Sequence, residues 1–287
     1  MRDRSFSAPS GMARLMGELA LSEGDVPDRL DAPLAATPVH QIGADAFLLS
    51  LPMGLAFHYR RGAGTVFRRW PGVGDDAMAL FFEGTVLGAI AWLNGLVPLR
   101  AAAVLHGGKV HAFAGPAGAG KSTLAAALAR RGMALCADEV LILDPADPAR
   151  ILVLPALDRA KLWGDALALA GCIAGPAVRP GIDKFHVLDV PVAPRVPLPL
   201  DRLYFLESGA QGMPGIAAIP PSDRLERLAS AWYRPQLFYP LVGPDHAFEA
   251  ATRLAGAISM ARFDRAHTTA TFADEVAMIA AHIHARA

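Results

Sequence analysis

Eight consecutive residues, Gly115-Pro116-Ala117-Gly118-Ala119-Gly120-Lys121-Ser122, follow the spacing G-x-x-x-x-G-K-[ST]. Each fixed position has a task on a polyphosphate. Glycines let the backbone curl tightly at positive φ, so that successive N–H groups point inward at phosphate oxygens. A helix starting at the loop's end adds unpaired N-terminal donors and the positive end of its dipole. Lys121 places a compact charge on the terminal phosphates, and the Ser122 hydroxyl is a ligand for Mg²⁺. The expected cofactor-binding residues are therefore Gly115, Pro116, Ala117, Gly118, Ala119, Gly120, Lys121, Ser122 and Thr123, with a nucleoside polyphosphate and Mg²⁺ as the ligands.

Phosphoryl transfer also needs metal ligands and a group that positions or deprotonates the acceptor. Asp138-Glu139 stand only seventeen residues beyond Lys121, at the end of an apolar run. Adjacent side chains at a strand end diverge, so one can face the metal while the other faces the acceptor or solvent. Asp138 comes near Ser122 if its strand neighbours the strand that leads into the loop. Asp138, Glu139 and Lys121 are the expected catalytic residues, and Ser122, Asp138 and Glu139 the expected metal ligands. The chain has four lysines, Lys109, Lys121, Lys161 and Lys184, against 23 arginines. A lysine kept in so arginine-rich a chain marks a place where a compact ammonium is useful. Lys161 and Lys184 are candidate phosphate or substrate contacts. Lys109, in a Gly-Gly-Lys turn, reads as a solvated charge.

The elements that must position these residues are legible around them. Val110–Ala114 is a short apolar run that reads as a strand, and Ser122-Thr-Leu-Ala-Ala-Ala-Leu-Ala-Arg is strongly helical. Leu99–Leu105, Gly107-Gly108 and Val110–Ala114 predict a hairpin that feeds the loop. A helix over 120–131 with Gly132 as its C-terminal cap, then a strand over Met133–Ala137, bring the chain to the carboxylates. Val140–Leu143, Ile151–Leu154, Phe185–Asp189, Leu203–Glu207, Gly215–Ile219 and Ser259–Phe263 read as strands. Helices are expected near Met12–Leu21 and over Arg159–Leu169, Ser222–Trp232, Phe248–Ile258 and Thr271–His284. Upstream, residues 38–70 read as strands and 77–94 as a buried helix, capped by Asp75 or Asp76 and stopped at Asn94-Gly95. The fold class is therefore α/β, with a small N-terminal α+β module over 1–97 and a phosphate-loop domain over 98–287.

Composition excludes some classes. Lys plus Arg equals Asp plus Glu, at 27 each, so no global charge draws the chain to nucleic acid or an anionic membrane. Two cysteines, Cys136 and Cys172, make no disulfide framework, and a reducing cytoplasm is the expected compartment. No continuous apolar stretch marks a signal peptide, and Ala77–Leu93 carries Glu83 and two glycines and falls short of a spanning helix. Nine histidines raise the question of a metal centre. His282 and His284 point to different sides of one helix, and no cysteine or carboxylate joins His106 and His111 across their hairpin, so no zinc site is expected. Trp163 reads as a core anchor.

The blocks PLRAAAV (98–104), GPAGAGKSTLAAALARRG (115–132), CADEV (136–140), KLWGD (161–165) and DKF (183–185) resemble the HPr kinase/phosphorylase family. The likeness is greater to its shorter HPr-kinase-like branch, some of whose members accompany lasso-peptide biosynthesis genes and phosphorylate a serine on the precursor. It extends over roughly residues 45–287, with FFEGTVLGAIAWLNGLVPL as lead-in. The resemblance implies a nucleotide core like that of phosphoenolpyruvate carboxykinase and transfer of the γ-phosphate of ATP to a serine of a peptide or protein. It carries Lys121 and Ser122 over as phosphate and Mg²⁺ contacts, and Asp138 as the carboxylate that activates the hydroxyl or holds the metal. Glu139 stands where the family usually has a second Asp. The family pattern L-H-x-S-A-V is here Leu99-Arg100-Ala-Ala-Ala-Val104, so Arg100 replaces a histidine and offers phosphate binding without proton transfer. The C-terminal signature of true HPr kinases is absent, so neither HPr as substrate nor the reverse phosphorylase activity is expected. Related kinases are oligomers, which allows for a homo-oligomer here.

Overall fold

The computed structural model describes residues 11–155, 160–179, 181–208, 213–266 and 268–285. After helix α1 (Gly11–Gly17) come six strands: β1 (Leu21–Glu23), β2 (Ala35–Ala36), β3 (His40–Ile42), β4 (Ala46–Leu51), β5 (Leu55–Arg60) and β6 (Gly64–Arg69). They form one sheet in the order β1-β6-β5-β4-β3-β2. Its central strands obey the two-residue period of a pleated chain. Phe47, Leu49, Phe57 and Tyr59 face the main core, whereas Ala46, Leu48 and Ala56 pack on Val26 and Leu30 behind the sheet. The Tyr59 hydroxyl donates to Glu18 and accepts from Asn94 Nδ2 at 2.7 Å, which ties α1 and the sheet to the helix that follows.

That helix is longer and less uniform than its sequence predicts. It runs unbroken over Asp75–Leu93, and by length and composition it is apolar enough to cross a membrane. It has three parts: α2 (Asp75–Phe81), a π-turn over Phe82–Val86, and α3 (Leu87–Leu93). Every residue of α3 is buried, but none of α2 is. The expected buried helix is thus buried only in its second half. Gly74, not an aspartate, is the N-cap, and Asp75 instead pairs with Arg69. Asn94 and Gly95, the latter at φ 74°, end the helix as predicted.

The central sheet contains β7 (Val97–His106), β8 (Lys109–Ala114), β9 (Ala134–Ala137), β10 (Val140–Asp144), β11 (Leu152–Leu154), β15 (Leu198–Ser208), β16 (Gly215–Ala218) and β17 (Ser259–Arg265). Its order is β11-β10-β7-β8-β15-β17-β16, with β9 also paired to β7. β8, β15 and β17 are mutually parallel, and the hairpin β7–β8 is in register from Ala101↔Ala114 to His106↔Lys109. The alternation along these strands separates two apolar layers. Leu99, Ala101, Ala103, Ala112, Leu203 and Phe205 face α3 and the N-terminal sheet in one continuous core. Ala102, Val104, Phe113, Tyr204, Leu206 and Phe263 face α4 (Lys121–Ala129) and α9 (Phe272–His284) on the other side. Between these lie β12 (Lys161–Trp163), α5 (Gly164–Ala170), β13 (Ala174–Ala177) and β14 (Lys184–Val187), the strands forming a small sheet in the order β12-β14-β13. Helices α6 (Arg224–Ser230), α7 (Pro235–Val242) and α8 (Pro244–Ala257) cover the first layer.

Two expectations are corrected here. The helix predicted from Arg159 begins only at Gly164, because Lys161–Trp163 pairs with β14 from Lys161↔His186 to Trp163↔Lys184. Arg159 lies outside the described residues. The single helix predicted over Phe248–Ile258 is preceded by α7, which the prolines and aromatics of residues 235–242 hide, and α8 itself starts at Pro244.

His111 is a buried polar group in this sheet. Its ring is 1% exposed, its Nδ1 lies 3.7 Å from Asp201, and neither ring nitrogen has a hydrogen-bond partner among the described residues. Burial pushes its pKa from 6.5 down to about 4, against the opposing pull of Asp201. The unfolded chain therefore binds the proton first, and stability falls as pH drops from 6.5 through 4. The loss is roughly 3 kcal/mol once both states are protonated. Urea unfolding followed across this window should show the loss, and His111→Phe should flatten it.

Candidate active site

The 115–120 loop leaves the C-terminal end of β8 and enters α4, the order its sequence demands. Gly115 (φ 145°), Gly118 (80°) and Gly120 (77°) all have positive φ. Two of them are also sterically compelled. A Cβ on Gly115 would lie 2.9 Å from the Leu206 carbonyl oxygen, and one on Gly120 would lie 2.7 Å from Arg265 Nη1. Lys121 folds back over the loop, and its Nζ donates to the carbonyls of Gly115 at 2.9 Å and Pro116 at 2.8 Å. Burial lowers its pKa to about 8. Arg100 pushes the same way, and Asp138 and Glu139 oppose.

The loop is held from below by residues that sequence reading missed. Arg265, at the end of β17, donates through Nη1 to the Ala119 carbonyl at 2.8 Å and through Nε to Glu275 at 2.7 Å. Glu275 also accepts the Ala266 N–H at 2.8 Å and the Thr271 hydroxyl at 3.1 Å. The pair is almost wholly buried, at 4% and 0% side-chain exposure. No local pattern announces it, because its members sit ten residues apart and touch a loop about 150 residues upstream. Asp274 and Glu275 stand side by side in the first turn of α9, and nothing local shows that Glu275 is the one that is buried.

Asp138 and Glu139 reach the same place by a different route from the one expected. β9 does not neighbour β8; β7 lies between them. The second half of β7 pairs with β9, ending at Ala103↔Ala137, and its first half pairs with β10, beginning at Arg100↔Val140. Asp138-Glu139 therefore lie opposite Ala101-Ala102 without pairing to them, and the chain turns there. Glu139 has φ 92°, one of two positive values among described non-glycine residues. Such a conformation costs on the order of 1–3 kcal/mol. It takes both carboxylates out of the sheet on the side of the loop. Backbone pairing of β7 with both neighbours sets this one-strand separation.

One cleft of ≈ 880 Å³ gathers Arg100, Ala117, Gly118, Gly120, Lys121, Ser122, Thr123, Asp138, Glu139, Lys161 and Lys184. Gly115, Pro116 and Ala119 do not line it; they shape the loop beneath. The Lys161 backbone N–H donates to Asp138 Oδ2 at 3.1 Å, and its ammonium pairs with Glu83 at 2.6 Å. Glu83 and Gly84 enter the cleft from the π-turn, a distortion often found at functional sites, so the long helix ahead of β7 contributes to the site. The two blocks KLWGD and DKF become adjacent strands. Lys184 lies 6.0 Å from the Trp163 ring, and a Cβ on Gly164 would come within 2.7 Å of the Asp183 carboxylate. Trp163 is 54% exposed on the cleft wall, so its predicted role as a core anchor is overturned. Lys109 is half-exposed beside Asp201 and far from this cleft. Cys136 is buried, which raises its thiol pKa to about 12 and leaves it inert at neutral pH.

No protein-family model matches the chain, and no curated protein matches it by sequence. Among solved structures, the chain is similar to the Hpr(Ser) kinase/phosphatase from Coxiella burnetii. The match has 13% sequence identity and a TM-score of 0.35, and it covers 66% of this chain and 99% of that one.

Proposed function

We propose that this chain is an ATP- and Mg²⁺-dependent phosphotransferase that moves the γ-phosphate to a serine hydroxyl of a peptide or protein. The observation that carries the reading is the shared cleft. It holds the loop Lys121-Ser122 and, one strand's width away, two carboxylates turned out of the sheet. Four cations (Arg100, Lys121, Lys161, Lys184) line it against five carboxylates (Glu83, Asp138, Glu139, Asp165, Asp183). The protein alone therefore cannot neutralise a triphosphate, and the hard oxygen donors present suit Mg²⁺. Ser122, Asp138 and Glu139 would hold that ion, which supplies charge neutralisation on the transferring phosphoryl group.

The chain's own residues do the rest. Loop N–H groups and Lys121 bind the phosphates, and Arg100 adds charge from β7. Asp138 accepts the proton of the acceptor hydroxyl as that oxygen bonds to the γ-phosphorus. The bond to the β–γ bridging oxygen breaks, and the diphosphate leaves with it. By resemblance the acceptor is a peptide such as a lasso precursor. Incubation with γ-labelled ATP and the peptides encoded beside this gene should place label on a serine. Nucleotide binding with phosphate release to water alone, and no labelled peptide, would sink the reading in favour of an NTPase.

The low pKa of Lys121 makes a second test. Bound phosphate raises it again, so above about pH 8 binding takes up a proton. Affinity for ATP should fall by up to about tenfold per pH unit above that point. Calorimetry in buffers of different ionisation heat should read the uptake, and Lys121→Arg should remove it.

A further inference from the structure

We propose that Trp163 is the platform for the base of the bound nucleotide, stacking on a purine and so favouring ATP over a bare polyphosphate. This rests on the phosphotransfer reading above, which gives the phosphates their partners and leaves the base without one. The chain has four tryptophans. Trp92 and Trp232 are buried and pack on each other with ring centroids 4.9 Å apart. Trp70 is exposed but lays its ring on Gly54, where a Cβ would lie 2.3 Å from it. Of the four, only Trp163 lines the phosphate-loop cleft, with about half of its surface open. Lys184 approaches its ring, and no other aromatic ring packs on it among the described residues. An indole held open in a concave, polar site suits a flat ring, because every base has a π-face to stack on it.

Its position fits the base rather than the acceptor. β12 begins at the reacting centre, where the Lys161 N–H donates to Asp138 Oδ2 at 3.1 Å. Alternation along the strand sends Leu162 into the core with α4, at 1% exposure, and returns Trp163 to the cleft. Trp163 thus stands about 7 Å further along the strand than Lys161, an offset that a ribose and the inner phosphates can span. The two helices beside it both start in this cleft and pack together: Ser122 and Thr123 of α4 line it, as do Asp165 and Ala166 of α5. A nucleotide whose phosphates rest on the start of α4 therefore has its base directed along the wall that β12 and α5 form. The acceptor must instead approach the γ-phosphate beside Asp138. The platform is also fixed in place. Trp163 lies opposite Lys184 in the ladder, and the Gly164 N–H donates to the Asp183 carbonyl at 3.1 Å.

The test compares ATP with inorganic tripolyphosphate, both as Mg²⁺ complexes, on the full chain and on Trp163→Ala and Trp163→Phe. Trp163→Ala should lose about tenfold or more in affinity for ATP and little for tripolyphosphate. Trp163→Phe, which keeps a stacking face, should restore most of the ATP affinity. ATP should quench the tryptophan fluorescence of the wild type, and that response should vanish in Trp163→Phe. Equal losses for both ligands in Trp163→Ala, or unchanged ATP affinity with a raised KM for the acceptor peptide, overturn the platform and leave the phosphotransfer reading standing. A selective loss of ATP affinity with no serine labelled by the wild type supports the platform and overturns phosphotransfer. A wild type that binds neither ligand overturns both.

Discussion

Asp138→Asn should lower transfer to a serine peptide by roughly 10²–10⁴-fold, the usual contribution of a positioned proton acceptor. The substitution is nearly isosteric. Its amide oxygen can still accept the Lys161 N–H that Asp138 Oδ2 accepts at 3.1 Å, so β12 keeps its anchor. The loss should therefore fall on kcat, and thermal unfolding of the variant should match the wild type. Glu139→Gln makes the comparison informative. If Glu139 orients a water for hydrolysis, its loss removes acceptor-free phosphate release. In a phosphotransferase it weakens the metal shell, and raising Mg²⁺ should restore part of the rate. A variant Asp138→Asn retaining more than about a tenth of wild-type transfer would remove this residue from the chemistry.

The second large effect is expected far from the cleft surface. Arg265→Met leaves Glu275, at 0% exposure, as an uncompensated buried carboxylate, and breaking such a pair costs on the order of 3–5 kcal/mol. It also removes the 2.8 Å bond that fixes the Ala119 carbonyl in the phosphate loop. The two consequences can be separated. Arg265→Met combined with Glu275→Gln removes both charges while leaving an acceptor for the Ala266 N–H and the Thr271 hydroxyl. Stability in urea should largely recover, since buried pairs replaced together are often neutral. ATP affinity should not recover, because the loop has lost its anchor and Gly120 its packing partner. If affinity returned with stability, Arg265 would be a fold residue and nothing more.

Local covalent rules made part of this site legible. The G-x-x-x-x-G-K-S spacing, the apolar run before it and the helical alanines after it sufficed to read strand, loop and helix in order, because each depends on neighbours only a few residues away. The carboxylates at 138 and 139 were visible for the same reason, as polar residues that end a strand. Elsewhere pairing overrides propensity. Lys161-Leu162-Trp163 looks helical in isolation, yet it is a strand because β14, more than twenty residues on, offers it a ladder. Trp163 looks like core until that ladder turns it to the cleft wall.

Residue types and spacing alone suffice for the phosphate loop, its helix, and two carboxylates near it in the chain. These follow from glycine's permitted φ, helix propensity and strand ends. Long-range pairing fixes which strand separates the loop from the carboxylates, since β7 lies between β8 and β9 and bonds to both. Tertiary structure also decided that Arg265 and Glu275 brace the loop and that the π-turn sends Glu83 to Lys161. Such contacts join residues from 78 to 146 positions apart. They arise from burial of surfaces that no local pattern records.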